Sequence, residues 1–158
     1  MGWFTAWNRR KTLFIFLIMA ALMLTVITIG GRVLENEAMV TDFSRKNLAP
    51  CPAYPFGTDW MGRDMFVRTI TGLSLSIRIG LLTAAVSALI ACFMGTAAAC
   101  LGKVADGLVG IVIDLVMGIP HILLLILISF AAGKGFWGVM AGISLPHWTS
   151  LARLLRAE

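Results

Sequence analysis

Four long stretches of this chain carry almost no charge, and nothing else in the sequence limits its fold so strongly. Leu13 to Gly31 and Ile79 to Gly102 are uncharged, Leu108 to Gly133 holds one carboxylate (Asp114), and Gly135 to Ala152 is uncharged but carries Pro146 and His147. A helix crossing roughly 30 Å of hydrocarbon needs about 20 apolar residues. Backbone in lipid must satisfy its own hydrogen bonds, so each run reads as a helix. A β-barrel would need alternating strands of about ten residues, and the runs do not alternate. Composition agrees: 59% hydrophobic and 13% charged, against about 45–50% and about 25% in soluble domains. An ordinary soluble domain and a disordered chain are both excluded. The net charge is +5, yet the 13 basic residues lie between apolar runs rather than on one nucleic-acid-binding face. The expected fold is an all-α membrane protein, a helical transmembrane bundle with spans at 13–31, 76–102, 108–133 and 135–152.

The first run follows Arg9, Arg10 and Lys11 like the h-region of a signal peptide, but it exceeds the usual roughly 7–15 residues and lacks a small-x-small cleavage pattern. It reads as a retained anchor. Three basic residues precede it and one, Arg32, follows, which puts residues 1–12 in the cytoplasm and 32–75 outside. Residues 103–107 then form a cytoplasmic turn. The total basic count, six inside against seven outside, does not favour that orientation. Cys92 and Cys100 are eight residues apart on one expected helix and Cys51 stands alone, so no disulfide framework is implied.

The spans differ in design. The first is bulky all round, as suits lipid contact. In the second, Gly80, Ala84, Ala88, Ala91, Gly95 and Ala99 recur at helical spacing, a small-residue face for close packing inside the bundle or for lining a path. The third carries Gly110, Asp114, Gly118 and His121 as a stripe. A carboxylate at membrane depth should face the bundle or water, and Pro120 frees the Val116 carbonyl and favours a kink. In the fourth, Gly138, Gly142, Thr149, Arg153 and Arg156 repeat the spacing, and Pro146 frees the Gly142 carbonyl. Trp148 is expected in the bundle or near the interface. Gly133-Lys134-Gly135 reads as a tight turn leaving the last two spans antiparallel.

Between the first two spans lies the only sizeable polar segment, made irregular by Pro50, Pro52 and Pro55. Trp60 to Arg78 is expected to form an amphipathic helix along the membrane surface, capped by Thr58 or Asp59. Catalytic chemistry is not in view. There is no Gly-rich phosphate loop, no HExxH, and no Ser-His-Asp grouping that spacing supports. The scattered Met, Cys and His read as packing rather than a metal site, and no cofactor is called for.

One string is far more specific than composition. Tyr54-Pro-Phe-Gly-Thr-Asp-Trp-Met-Gly-Arg-Asp64, with Gly72-Leu-Ser-Leu-Ser-Ile-Arg-Ile-Gly80, resembles the C-type permease subunit of dipeptide, oligopeptide and nickel ABC importers. The family motif falls on Gly57, Thr58, Asp59, Gly62, Arg63 and Asp64. Asp106, Asp114 and Pro120 match its acid-acid-proline spacing. Trp148, Ala152, Arg153, Arg156, Ala157 and Glu158 match the ending of its fourth span. Gly110-Ile111 stands where the family has Met-Arg, and Tyr54 where it often has His.

The resemblance implies the six-span MetI-like permease fold, of which four spans are present. It implies a bacterial or archaeal plasma membrane, a second homologous permease subunit, two cytoplasmic ATP-binding subunits and an extracytoplasmic solute-binding protein. ATP hydrolysis would reside in those partners, not in this chain. Cargo would be peptide or nickel, with Gly102-Lys103 and the Gly-Ile-Pro-His run leaning toward nickel. Ala84, Ala88, Gly95, Asp114, Gly118 and Pro120 are the expected path or packing residues. Residues 153–158, with Arg153, Arg156 and Glu158, would begin the region coupling to the ATPase. Family members continue past that point, so the chain is expected to be a fragment or a truncated reading frame. Two other classes stay open: a four-span structural or assembly protein, and a membrane-embedded enzyme, which would need an acid pair or metal centre the sequence does not display.

Overall fold

A computed structural model describes residues 9–157, together with their side chains up to residue 155. Five helices are described: α1 Arg9–Val33, α2 Met65–Cys100, α3 Lys103–Met117, α4 His121–Ala131 and α5 Phe136–Ala157. No strand occurs among the described residues, only the isolated bridges Cys51–Tyr54 and Thr58–Asp64. The chain divides into two compact units between Arg78 and Ile79, described in turn.

In the first unit, α1 exposes bulky side chains on every side, including Phe14, Leu17, Ile18 and Leu22. Thr25 and Thr28 of this helix donate to carbonyls four residues back at 2.8 and 2.7 Å, which hides both hydroxyls from an apolar surrounding. Near its end α1 packs closely on the start of α2. A Cβ on Gly31 would meet Ile70 O at 2.9 Å and run into Ser74, and Ser74 Oγ donates to Thr28 O at 3.0 Å. Small residues and an interhelical hydroxyl bond are the means by which helices associate where hydrophobicity cannot drive them together.

The surface helix expected at 60–78 takes another form. The helix starts at Met65 and runs without a break to Cys100, 36 residues. Asp64, not Thr58 or Asp59, caps it, accepting from Phe66 N at 2.8 Å and Val67 N at 3.3 Å. No proline interrupts residues 65–100, so once nucleated the helix propagates through both parts of the sequence.

In the second unit, the third apolar run is broken rather than merely kinked. α3 ends at Met117, α4 begins at His121, and the two are bent by 93°. Pro120 has no N–H to donate and forces Ile119 out of the helical region, so the backbone turns there. The stripe from Gly110 to His121 is therefore not one helix face. The Gly133-Lys134-Gly135 turn forms as expected, with both glycines at positive φ (+95° and +112°). It folds α5 back against α4 so closely that a Cβ on Gly142 would lie 2.7 Å from Leu125 O. Pro146 is accommodated inside α5. The core is small: Ala91 and Ala98 of α2, Val109 and Ile113 of α3, Trp148 and Ala152 of α5. Trp148, 6% exposed, is thus a packing residue.

Helices α1 and α2 are each long and apolar enough to cross a membrane, and α3 with α4 qualifies only as a bent pair. All three cysteines, Cys51, Cys92 and Cys100, are free and exposed.

Candidate functional site

The polar motif and the apolar helices hold two different kinds of site. In the motif, Asp59 organises the turn. Its Oδ1 accepts from the amides of Met61 and Arg63 at 2.9 Å each. Its Oδ2 accepts from Arg63 Nε at 2.8 Å and Arg68 Nη1 at 2.6 Å. Burial would push its pKa up, but the Arg63 amide and guanidinium and the Met61 amide outweigh that and hold it at about 2. Thr58 Oγ1 donates to Arg45 O and accepts from Leu48 N at 2.9 Å. Gly57 and Gly62 take positive φ, +69° and +74°; a Cβ on either would strike the carbonyl of Leu48 or Asp42 respectively. With Asp64 as helix cap, each of the six motif residues has a local bonding or conformational duty. The arrangement fixes the polar loop to the first turns of α2.

The helical unit offers a more open constellation. His121, first residue of α4, and His147, one residue after the α5 proline, bring their rings to 5.4 Å at an interplanar angle of 60°. They line a hollow of about 420 Å³ with Pro120, Pro146, Thr149 and Ser150. A second hollow of about 440 Å³ shares His147 and Ser150 and is completed by Gly80, Thr83, Ala84 and Ser87 among others. No charged residue lines either one. Sequence reasoning placed the histidines on separate spans and did not join them. The available signal was the repeated dipeptide Pro-His, at 120–121 and 146–147: each proline shapes the backbone beside the imidazole that follows it.

The remaining expected residues are distributed as follows. The buried face of α2 passes through Thr83, Ser87, Ala91, Gly95 and Ala98, and Ala84 and Ala88 of the small stripe are exposed. Ser87 Oγ donates to Ser144 O at 3.0 Å, and that interhelical bond favours the hydroxyl-bearing side of the helix over the wholly small one. A Cβ on Gly95 would meet Leu155 Cβ at 3.3 Å. Gly118 caps α3, its amide donating to Asp114 O at 2.8 Å. Asp114 Oδ1 pairs with Arg153 Nη2 at 3.1 Å, the two side chains 76% and 55% exposed. A residue expected on the path and one expected at the coupling end are thus partners. Arg156 lies in α5 with its side chain beyond the description, and Glu158 lies outside the described residues.

No family model matches the chain. Individual relatives do. The dipeptide transport system permease protein DppC of Bacillus subtilis is 30% identical over 156 residues, covering 97% of this chain and 49% of the relative. This chain is a homologue of the peptide-transport permeases. The oligopeptide transport system permease protein OppC of the same organism is 29% identical over 147 residues, covering 90% of the chain and 48% of the relative. The chain spans about half the length of these permeases. The family resemblance seen in the Gly57–Asp64 motif therefore extends over nearly all of the sequence, and a multi-pass membrane setting goes with it.

Proposed function

We propose that the chain is the membrane-spanning permease part of an ATP-driven importer of short peptides. The observation that carries this is the 30% identity to a dipeptide permease along 97% of the chain. In this reading cargo moves along the 79–157 helices, past the α3–α4 break and the hollows around His147. Ala84, which lines one hollow, and Gly118 and Pro120 at the break are path residues. Ala88, Gly95 and the Asp114–Arg153 pair serve packing. Arg153, Arg156 and Glu158 begin the region that receives force from a cytoplasmic ATPase. A second permease subunit, two ATP-binding subunits and an external solute-binding protein complete the machine, with the N-terminus in the cytoplasm. The relatives are named for dipeptides and oligopeptides, which favours peptide over nickel as cargo.

The test is uptake. The gene is expressed with the other subunits of its transporter in a host lacking peptide importers, and radiolabelled dialanine and nickel-63 are supplied in parallel. ATP-dependent accumulation of dialanine but not nickel is expected. Accumulation of neither would remove the transport reading.

A further inference from the structure

The geometry points to the hollows around His147 as a station that binds the C-terminal carboxylate of the passing peptide, a refinement that rests on the importer reading. The first ground is an unpaired hydroxyl. Thr83 is 5% exposed and its Oγ1 has no hydrogen-bond partner. Thr25, Thr28, Thr69 and Thr71, also within helices, each donate to the carbonyl four residues back, a bond that Thr83 does not make although it is buried. A buried hydroxyl left unpaired is destabilising, and a ligand atom can remove that cost. The only other such oxygen among the described residues is Ser129 Oγ, which is pressed against Gly142 and is accounted for by that helix contact.

The second ground is the donor set. Ser87 and Thr149 already donate to carbonyls within the unit, which leaves Thr83, Ser150, His121 and His147 to receive a ligand. Hydroxyls donate, and an imidazole presents an N–H in either tautomer and two when protonated. No Asp or Glu lines either hollow, so a peptide's ammonium end finds no counter-charge while its carboxylate finds several donors. The surrounding Ile79, Ile143 and Leu151 give the mostly apolar wall with few polar groups that small-molecule sites share, and each volume falls within their range of about 300–1,000 Å³.

The decisive quantity is discrimination between a free and a blocked carboxyl end. Uptake of labelled dialanine and of its C-terminal amide is measured in proteoliposomes holding the complete transporter and its binding protein. The measurement is made for wild type, Thr83→Val, His147→Gln and the His121→Gln/His147→Gln pair, with Ser129→Ala as control. The acid-to-amide ratio is expected to fall at least fivefold in the double variant and two- to threefold in Thr83→Val, and to hold in Ser129→Ala. The binding protein is common to all arms and cancels, and misfolding lowers both substrates together without moving the ratio. An unchanged ratio alongside intact wild-type uptake would overturn the station and leave the importer standing. That same result is expected if an anionic lipid headgroup, indifferent to amidation, fills the hollow. Failure of wild type to take up either peptide would overturn the importer reading and the station with it.

Discussion

Asp59 sits 11% exposed between two arginines and two amides, and its carboxyl is held at about 2 where 3.8 is ordinary. A depressed folded-state pKa means the unfolded chain binds the proton more readily between those values. The carboxylate's contribution is therefore fully present above about pH 4 and is lost as pH falls toward 2. Protection of the Met61 and Arg63 amides against hydrogen exchange, relative to the intrinsic rate at each pH, should hold down to pH 4 and fall below it. In Asp59→Asn that loss of protection between pH 4 and 2 should vanish, and both amides should be less protected throughout. Asp42 follows the same sign, lowered by the hydroxyl and amide of Ser44 with help from Arg45, but it is more exposed and should matter less. Gly62 makes the companion case. Alanine there must adopt positive φ and push into the Asp42 carbonyl, and overpacking of this kind costs about 1–3 kcal/mol. Trypsin should cut the 32–64 segment of Gly62→Ala sooner than that of wild type.

Among the elements, proline and glycine decide where helices stop. Pro120→Ala restores the missing donor and relieves Ile119, so α3 and α4 should merge. Spin labels at positions 108 and 128 would then separate toward about 30 Å, the rise of a continuous helix, from a shorter distance across the 93° bend. An unaltered distance would mean that packing against α5, not Pro120, sets the angle. The position of this break was legible in the sequence, as were the Gly133–Gly135 turn and the helical nature of every apolar run. What escaped were relations between side chains far apart in the chain. His121 and His147 are 26 residues apart, Asp114 and Arg153 are 39, and no periodicity within one helix reports on either. The buried face of α2 was read only in part, at Ala91 and Gly95, and its Thr83–Ser87 portion was missed for a related reason: small residues mark where backbones can approach, while a hydroxyl bond, Ser87 to Ser144, favours one of two adjacent faces. The α2 start was misplaced because Thr58, Asp59 and Asp64 are all acceptable caps by type, and only the turn geometry assigns the duty to Asp64.

For the molecule as a whole, the governing fact is that so little of it is covered by itself: α1 exposes apolar side chains along its length. Lone charges are then the expensive feature. Asp114 and Arg153 offset one another, and an unpaired charge at membrane depth costs about 2.5–3.5 kcal/mol on insertion scales. Asp114→Asn and Arg153→Gln should each lower the yield of detergent-stable protein, while the double variant should recover most of it. If the two losses simply add, the pair is incidental. The three thiols provide a natural ruler for orientation. A water-soluble maleimide added to intact cells should tag Cys51 if the proline-rich loop faces the medium. It should leave Cys92, midway along the uncharged run 79–102, untouched until the bilayer is dissolved. Sidedness can thus be read from the native chain with no engineered reporter.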